Sequence, residues 1–385
     1  MKIEPIKKYM TPSTKTLKIG SHNVAHTSGS SYAVNTLIAN DHPEHDLYIL
    51  ITDDRVNEIY AKWIEELNSS LKNLMVFSIG HGEESKTAEN YLHMCNKLIQ
   101  AGATRRSCII SFGGGVTLNL AGMIASSLYR GIKLIHIPTT FIAMHDVSIS
   151  IKQAVNLESG KNLLGTYYAP KHVYLDTSFV LSLPEREYKC GLGELLKTLI
   201  VCDPTTCEDL VSDNDEMNSG NLDVFLKWID KSINMKIELI KNDDQERSSA
   251  LTLEYGHTLG HALEALQLDK QNNEGLSHGE AISIGMIFAA RIVEALDVKN
   301  NPNLVSNIED FLTRLNLQTK IPKSFNQKDV LTKMLFDNKK GHISTTNATV
   351  PMVLISDFGK PLYTENKPIY PVSVSLLQSV VKNMY

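Results

Sequence analysis

The chain has 385 residues, of which 42% are hydrophobic and 21% charged, with a formal net charge of −5 at pH 7. That balance excludes a disordered or fibrous chain and argues against a general nucleic-acid binder, a class that is usually basic. No apolar run approaches the ~18 residues of a membrane helix, the opening MKIEPIKKYM lacks the apolar stretch of a secretory signal, and the five scattered cysteines, with no CxxC, read as reduced thiols of a cytoplasmic protein.

In chain order, LYILITD (47–53) is an apolar strand ending in acid, and helical spacing runs over 57–71. LMVFSI (74–79) is a strand, 87–100 a helix stopped by AGA, and CIISFGGG (108–115) a buried strand running into glycines. A helix over 116–129 and the strand KLIHIPTT (133–140) follow. Such alternation predicts a parallel sheet with helices on both faces. After about Leu181 the strand signals fade. A helix starts at LPEREYKCGLGELLKTLIV with proline near its first turn, and further helices are expected over 222–241, 250–266 and 277–296. The polar stretches 212–221 and QNNEG read as loops. At roughly 150 residues per domain the length suits two domains. The boundary falls near residue 180, giving an α/β domain over 1–180 and a mainly helical one over 181–385.

SFGGGVTLNLAG sets three glycines between a strand and a helix. First-turn amides at such a helix start bind phosphate, and the carboxyl end of a central parallel strand is where open α/β sheets take ligands. The dinucleotide pattern GxGxxG is not met, because Leu118 holds its third glycine position, so a plain tight turn remains the competing reading. Glu83 and Lys86, in HGEESK, lie just beyond a strand end and could hold ribose hydroxyls, but taken alone they read rather as a solvated helix start with acids in its first turn.

LEYGHTLGHALE places His257 and His261 on one helix face, and GLSHGEA puts His278 where a helix starts. GLGELLK buries Glu194 in an otherwise apolar helix, which is costly unless the carboxylate is paired or bound to a cation. Two histidines and one carboxylate suit Zn²⁺, Co²⁺ or Fe²⁺ as a Lewis acid; the competing reading is satisfied core histidines plus a surface acid. Asp146, Lys152, Lys161 and Asn162 sit in a segment of small and apolar residues, Lys197 lies one turn from Glu194, and Lys236 precedes the histidines. Converging cations suit a phosphate ester; the alternative is that each lysine reaches solvent.

Taken together, GGGVTLNLAG, YRGIKLIHIPTTF, KQAVNLESGKNLLG, LPEREYKCGLGELLK, EYGHTLGHALE and LSHGEA resemble the sugar phosphate cyclases of the dehydroquinate synthase superfamily, densely over 47–296 and more loosely to DNKKGH. The resemblance implies a Rossmann-like α/β N-terminal domain that binds NAD and a mainly α-helical C-terminal domain that binds metal and substrate, with cofactor and ion in the cleft between them. It implies one divalent ion, Co²⁺ or Zn²⁺, on Glu194, His257 and His278. It implies NAD contacts at Asp53, Glu83, Lys86, Gly115, Val116, Thr117, Leu118, Asn119, Thr139, Thr140, Lys161 and Asn162. Substrate-facing positions would be Asp146, Lys152, Lys197, Lys236, His261 and Lys339. A sugar phosphate substrate, a homodimer, and no membrane or nucleic-acid partner complete the expectation.

The departures from the dehydroquinate synthases point to a branch. Their aspartate after the glycine turn is Asn119, their GGKTAVN is SIKQAVN, and the asparagine before the metal histidine is Glu254. Their carboxylate-binding arginine is Ala250. Similarity therefore favours a branch whose substrate, glucose 6-phosphate, has no carboxylate. Leu118 stands where that branch commonly has glycine. Lys152, Glu254 and His261 are expected to do the acid–base work. The competing readings are dehydroquinate synthase or another cyclase, a polyol dehydrogenase with net redox, and a non-catalytic NAD-binding partner subunit.

Overall fold

Continuous apolar runs build the first half of the molecule, because strands covered by helices on both faces have no polar side. The computed structural model describes residues 11–30, 33–158, 160–268, 275–336, 339, 341–344, 346 and 348–385. The opening decapeptide, the first four residues of QNNEG, and three residues of DNKKGH lie outside them. The chain forms two compact units, Met1–Pro184 with Gly220–Ile233, and Glu185–Ser219 with Asn234–Tyr385.

The first unit runs β1 (Ser13–Ile19), β2 (His22–Gly29), α1 (Val34–Asp41), β3 (Tyr48–Asp53), α2 (Asp54–Ile59), α3 (Ala61–Ser70), β4 (Leu74–Ile79), α4 (Ala88–Gln100), β5 (Cys108–Gly113), α5 (Gly115–Ser127), β6 (Lys133–Pro138), α6 (Phe141–His145), β7 (Lys152–Leu157), β8 (Gly160–Tyr167) and β9 (His172–Asp176). Seven strands form one sheet in the order β1-β2-β9-β6-β5-β3-β4, parallel except for the β1–β2 pair. The chain moves outward in opposite directions from β3, to β4 on one side and to β5 on the other. Asp53 and Gly113 therefore end adjacent strands at the topological switch point, where open α/β sheets bind ligands. Ile49, Ile51 and Ile109 pack there against Leu120 and Ile124 of α5. β7 and β8 form a separate antiparallel hairpin.

The second unit is mainly helical: α7 (Glu185–Cys202), α8 (Cys207–Asn218), the end of α9 (Leu222–Ile240), α10 (His257–Leu268), α11 (His278–Glu294), α12 (Leu304–Arg314) and α13 (Gln327–Met334). It closes with β10 (Thr349–Met352), β11 (Ile355–Asp357), β12 (Lys360–Pro361), β13 (Tyr370–Ser373) and α14 (Val374–Val381), the strands forming two small sheets that the sequence reading does not foresee. No helix among the described residues is long and apolar enough to cross a membrane.

Three expectations differ from the structure. The helix expected over 57–71 breaks at Tyr60 into α2 and α3. The Tyr60 hydroxyl is held by Ser182 Oγ at 2.7 Å, and its ring packs edge-on to Phe112 and Phe179. The loop expected over 212–221 is largely α8, whose buried Cys207, Leu210, Asn214 and Met217 recur at helical spacing; its polar residues are the solvent face. The helix expected over 250–266 is a 3₁₀ turn, Ser249–Glu254, followed by α10, the two separated at Gly256 with φ +79°.

His26 and His136 flank Val173 on one sheet face and are fully buried. Burial pushes both down to about 3. Unfolding restores an imidazole pKa near 6.5, so below that pH the unfolded chain takes up protons that the folded one rejects. Stability is therefore full above about pH 6.5 and falls as pH drops toward 3, by roughly 1.4 kcal/mol per pH unit per histidine. Urea unfolding between pH 7.5 and 4.5 checks this: His26→Gln should flatten the slope by about one proton, and an unchanged slope would refute the assignment.

Candidate metal centre and nucleotide cradle

In the second unit α7 is buried along almost its whole length, yet it carries Glu194 and Lys197, each 2% exposed. His257 opens α10 and His278 opens α11. The start of α11 is fixed by a capping box: Ser277 Oγ accepts from Glu280 N–H, Ser277 N–H donates to Glu280 Oε2, and Arg186 Nη2 donates to that same carboxylate at 2.9 Å. The two histidine helices meet at backbone distance, since a Cβ on Gly285 would lie 1.9 Å from the Gly256 carbonyl oxygen. Only glycine permits that approach, and it brings the histidines together.

One ligand atom from each of Glu194, His257 and His278 lies within 4.8 Å of the other two, and His278 Nε2 is 3.7 Å from Glu194 Oε2. The remaining ring nitrogens are engaged: His278 Nδ1 meets Glu264 Oε2 at 3.1 Å, and His257 Nδ1 meets the Tyr255 carbonyl at 3.1 Å. A carbonyl accepts only, so His257 carries its proton on Nδ1 and presents the Nε2 lone pair. Burial pushes the His257 pKa down to about 3, which keeps the imidazole in its ligand form. This donor set fits a borderline divalent ion, with carboxylate and carbonyl partners orienting the rings.

Glu254, His257 and His261 form a second group with the same mutual spacing. Each carboxylate meets a buried lysine. Lys197 Nζ donates to Glu194 Oε1 and, at 2.6 Å, to the Leu253 carbonyl; Lys339 Nζ is 3.3 Å from Glu254 Oε2. Lys236, on α9, is also buried in this unit. Ala250 is fully buried and its N–H donates to Asp243 Oδ2 at 3.0 Å. That position presents no cation.

In the first unit β5 ends at Gly113 and passes through Gly114 into α5, whose first turn contains Val116 and Thr117, with Asn119 just after it. A Cβ on Gly113 would lie 2.6 Å from Thr117 Oγ1, so the turn closes only with glycine. Asp53 caps α2, accepting from Val56 N–H at 2.9 Å, and its other oxygen faces Thr117 Oγ1 at 3.5 Å. Thr139 is pinned to the turn by its N–H on the Gly113 carbonyl at 2.9 Å, and Thr140 caps α6. Leu118 is buried in the core and its N–H donates to the Gly114 carbonyl, so neither its side chain nor its amide is presented to a ligand.

Glu83, Lys86, Lys161 and Asn162 converge on one network. Asn156 Nδ2 donates to Glu83 Oε1 at 2.8 Å, Asn162 N–H donates to Asn156 Oδ1 at 3.0 Å, and Lys86 Nζ donates to Asn162 Oδ1 at 2.6 Å. Lys161 Nζ stands 3.9 Å from Glu83 Oε1. Asp146 follows α6 and Lys152 opens β7, both half-buried in this unit. Glycine turn, strand-end acid and polar network together fit a dinucleotide: amides for the diphosphate, acids for ribose hydroxyls. Sequence reasoning did not single out Asn156, which joins Glu83 to Asn162, or Glu264, which orients His278.

Residues 76–190 match the family described as 3-dehydroquinate synthase N-terminal, and residues 191–340 match 3-dehydroquinate synthase C-terminal. The 2-deoxy-scyllo-inosose synthase of Niallia circulans is 34% identical over 345 residues, 88% of this chain and 90% of that one. The chain belongs to the dehydroquinate synthase family of sugar phosphate cyclases. A crystal structure of 2-deoxy-scyllo-inosose synthase complexed with carbaglucose-6-phosphate, NAD⁺ and Co²⁺ superposes on this cyclase with a TM-score of 0.86 at 33% identity, covering 97% of this chain and 100% of that one. The 2-epi-5-epi-valiolone synthase ValA from Streptomyces hygroscopicus subsp. jinggangensis 5008 has the same fold, with a TM-score of 0.78 at 20% identity, covering 96% and 98%.

For a cyclase built this way, the carboxylate beside His278 is testable apart from the three candidate donors. Glu264→Ala should weaken Co²⁺ or Zn²⁺ binding by about 10–100-fold, because His278 loses the partner that fixes its ring. Equilibrium dialysis of the metal-stripped chain measures it; unchanged affinity would show that Glu264 does not orient the ligand.

Proposed function

We propose that this cyclase converts glucose 6-phosphate into 2-deoxy-scyllo-inosose with release of phosphate, using NAD and one divalent ion, Co²⁺ or Zn²⁺. The observation that carries the reading is the pairing of Glu254, beside the metal donors, with a buried Ala250. A carboxylated sugar phosphate would meet negative charge there and no cation from position 250. Glucose 6-phosphate brings only hydroxyls. The similarity to the 2-deoxy-scyllo-inosose synthase of Niallia circulans over 90% of its length supports the same reading.

Bound NAD⁺ supplies a reversible hydride acceptor for a sugar carbon, and a bound divalent ion supplies a Lewis acid for the sugar oxygens. Glu194, His257 and His278 would hold the ion. The Gly113–Gly115 turn and the first amides of α5 would hold the diphosphate, and Glu83, positioned by Asn156, a ribose hydroxyl. An acid at that ribose repels the 2′-phosphate of NADP. Glu254 would accept a proton from the sugar, its carboxylate oriented by Lys339 Nζ on Oε2. Lys152 and His261 are the other acid–base groups, and Asp146, Lys197 and Lys236 face the sugar phosphate. Lost phosphate and a rearranged carbon skeleton leave no net redox, so NADH should not accumulate. A cytoplasmic homodimer belongs to the same proposal.

The decisive measurement offers the purified chain glucose 6-phosphate and, separately, the heptulosonate phosphate taken by dehydroquinate synthases, with NAD⁺ and Co²⁺. Phosphate and carbocycle should form from the first alone; efficient turnover of the second would sink the branch while leaving the family intact. Glu254→Gln should keep NAD and sugar binding and slow turnover at least ~100-fold, the scale of a lost general base. In a parallel titration, Asn156→Ala should weaken NAD binding roughly tenfold by releasing Glu83, an effect of about 1.4 kcal/mol. Unaltered NAD affinity would remove Asn156 from the cradle.

A further inference from the structure

Two triads of metal-donor side chains meet at one histidine. Glu194, His257 and His278 form the first; Glu254, His257 and His261 form the second, with the ligand atoms of each triad within 4.8 Å of one another. His257 Nδ1 faces the Tyr255 carbonyl at 3.1 Å, so both triads depend on Nε2. One imidazole lone pair binds one ion. The triads are therefore alternatives and not a two-metal site. The His261 ring lies 5.1 Å from that of His257 and 6.5 Å from that of His278, so an ion moving a short way about His257 would exchange one pair of partners for the other.

A buried lysine meets the carboxylate of each triad, and in the first the other carboxylate oxygen is left toward a histidine. Lys197 takes Oε1 of Glu194, while Oε2 faces His278. In the second triad Lys339 Nζ sits 3.3 Å from Glu254 Oε2, and Lys339 is 1% exposed, so its ammonium is held beside that carboxylate out of water. A divalent ion entering that triad would lie beside a buried positive charge and be repelled.

We propose that Glu254, His257 and His261 form a second, alternative position for a divalent cation of the Zn²⁺ or Co²⁺ class, and that Lys339 holds it closed. The consequence is directional. While Lys339 is in place the ion stays with Glu194 and His278, and Glu254 and His261 stay out of its coordination shell. The inference rests on the first triad as the resident metal position, and is independent of which sugar is cyclised.

Co²⁺ is the probe, read by equilibrium dialysis and by its visible d–d absorption on the metal-stripped full chain. Wild type should bind one ion per chain, and His278→Ala should bind at least ~100-fold more weakly, beyond the range set by losing an orienting partner. Adding Lys339→Met to His278→Ala should recover at least ~10-fold in affinity, with absorption bands different from those of wild type. Adding Glu254→Gln to that double variant should abolish the gain. A double variant that binds no better than His278→Ala, or a gain that survives Glu254→Gln, would overturn the proposal. Far-ultraviolet circular dichroism monitors folding, and Lys339→Gln repeats the test if the methionine variant does not fold. Wild-type binding judges the resident triad separately, and the double variant judges the second position whichever way that falls.

Discussion

Charge held out of water organises the second unit. An unpaired carboxylate or ammonium in an apolar interior is costly by several kcal/mol, so each must be met where it lies. α7 could have been a plain core helix, yet it carries Glu194 and Lys197 side by side, both buried. Lys197 answers one oxygen of Glu194 and reaches the Leu253 carbonyl, while the other oxygen faces His278. A second buried lysine answers Glu254 in the same way. Such pairs add little net stability, but truncating one partner strands the other. That is the reason to expect the centre to be intolerant of single changes and fixed in geometry.

The geometry then depends on how near the helices come. α10 and α11 touch through Gly256 and Gly285, and any side chain at position 285 would drive them apart. Helix starts do the rest. Each histidine is the first residue of its helix, where the chain turns in, and each is held through the nitrogen not offered to a ligand. The capping box of Ser277 and Glu280 thus acts on the residue next to it, which links an ordinary helix-start motif to the placing of His278.

Much of this was legible in the sequence because burial on both faces leaves a strong mark. YILITD and CIISFG are buried at every position and read as parallel strands without help from context. β8 is the opposite case: GKNLLGTY is mostly exposed, and its strand state comes from pairing with β7, which no local pattern announces. α8 was hidden because only four of its twelve residues are buried. Gly256 set the break before α10, which a periodicity argument passes over because the apolar spacing continues on both sides. At the site, ligand-type residues stand out by chemistry, whereas their supports do not. Glu264 falls seven residues after His257, two turns along the same helix face, and that spacing was the one available signal. Asn156 had none, being a small polar residue inside a strand.

The same division separates what a nucleotide would touch from what positions it. Asp53 closes α2 through one oxygen and faces the first turn of α5 through the other. It joins the end of β3 to the glycine turn after β5 across the switch point of the sheet. A residue that caps one helix and braces the start of the next ties its own orientation to both elements. Glu83 is placed differently: its partners Asn156 and Lys161 come from the two strands of the β7–β8 hairpin, not from the parallel sheet. The glycine turn is therefore fixed by the sheet and Glu83 by the hairpin. Because β8 is largely exposed while β5 is buried throughout, the hairpin is the softer of the two supports. Ordering of that hairpin is where nucleotide binding and local stability should be coupled most strongly.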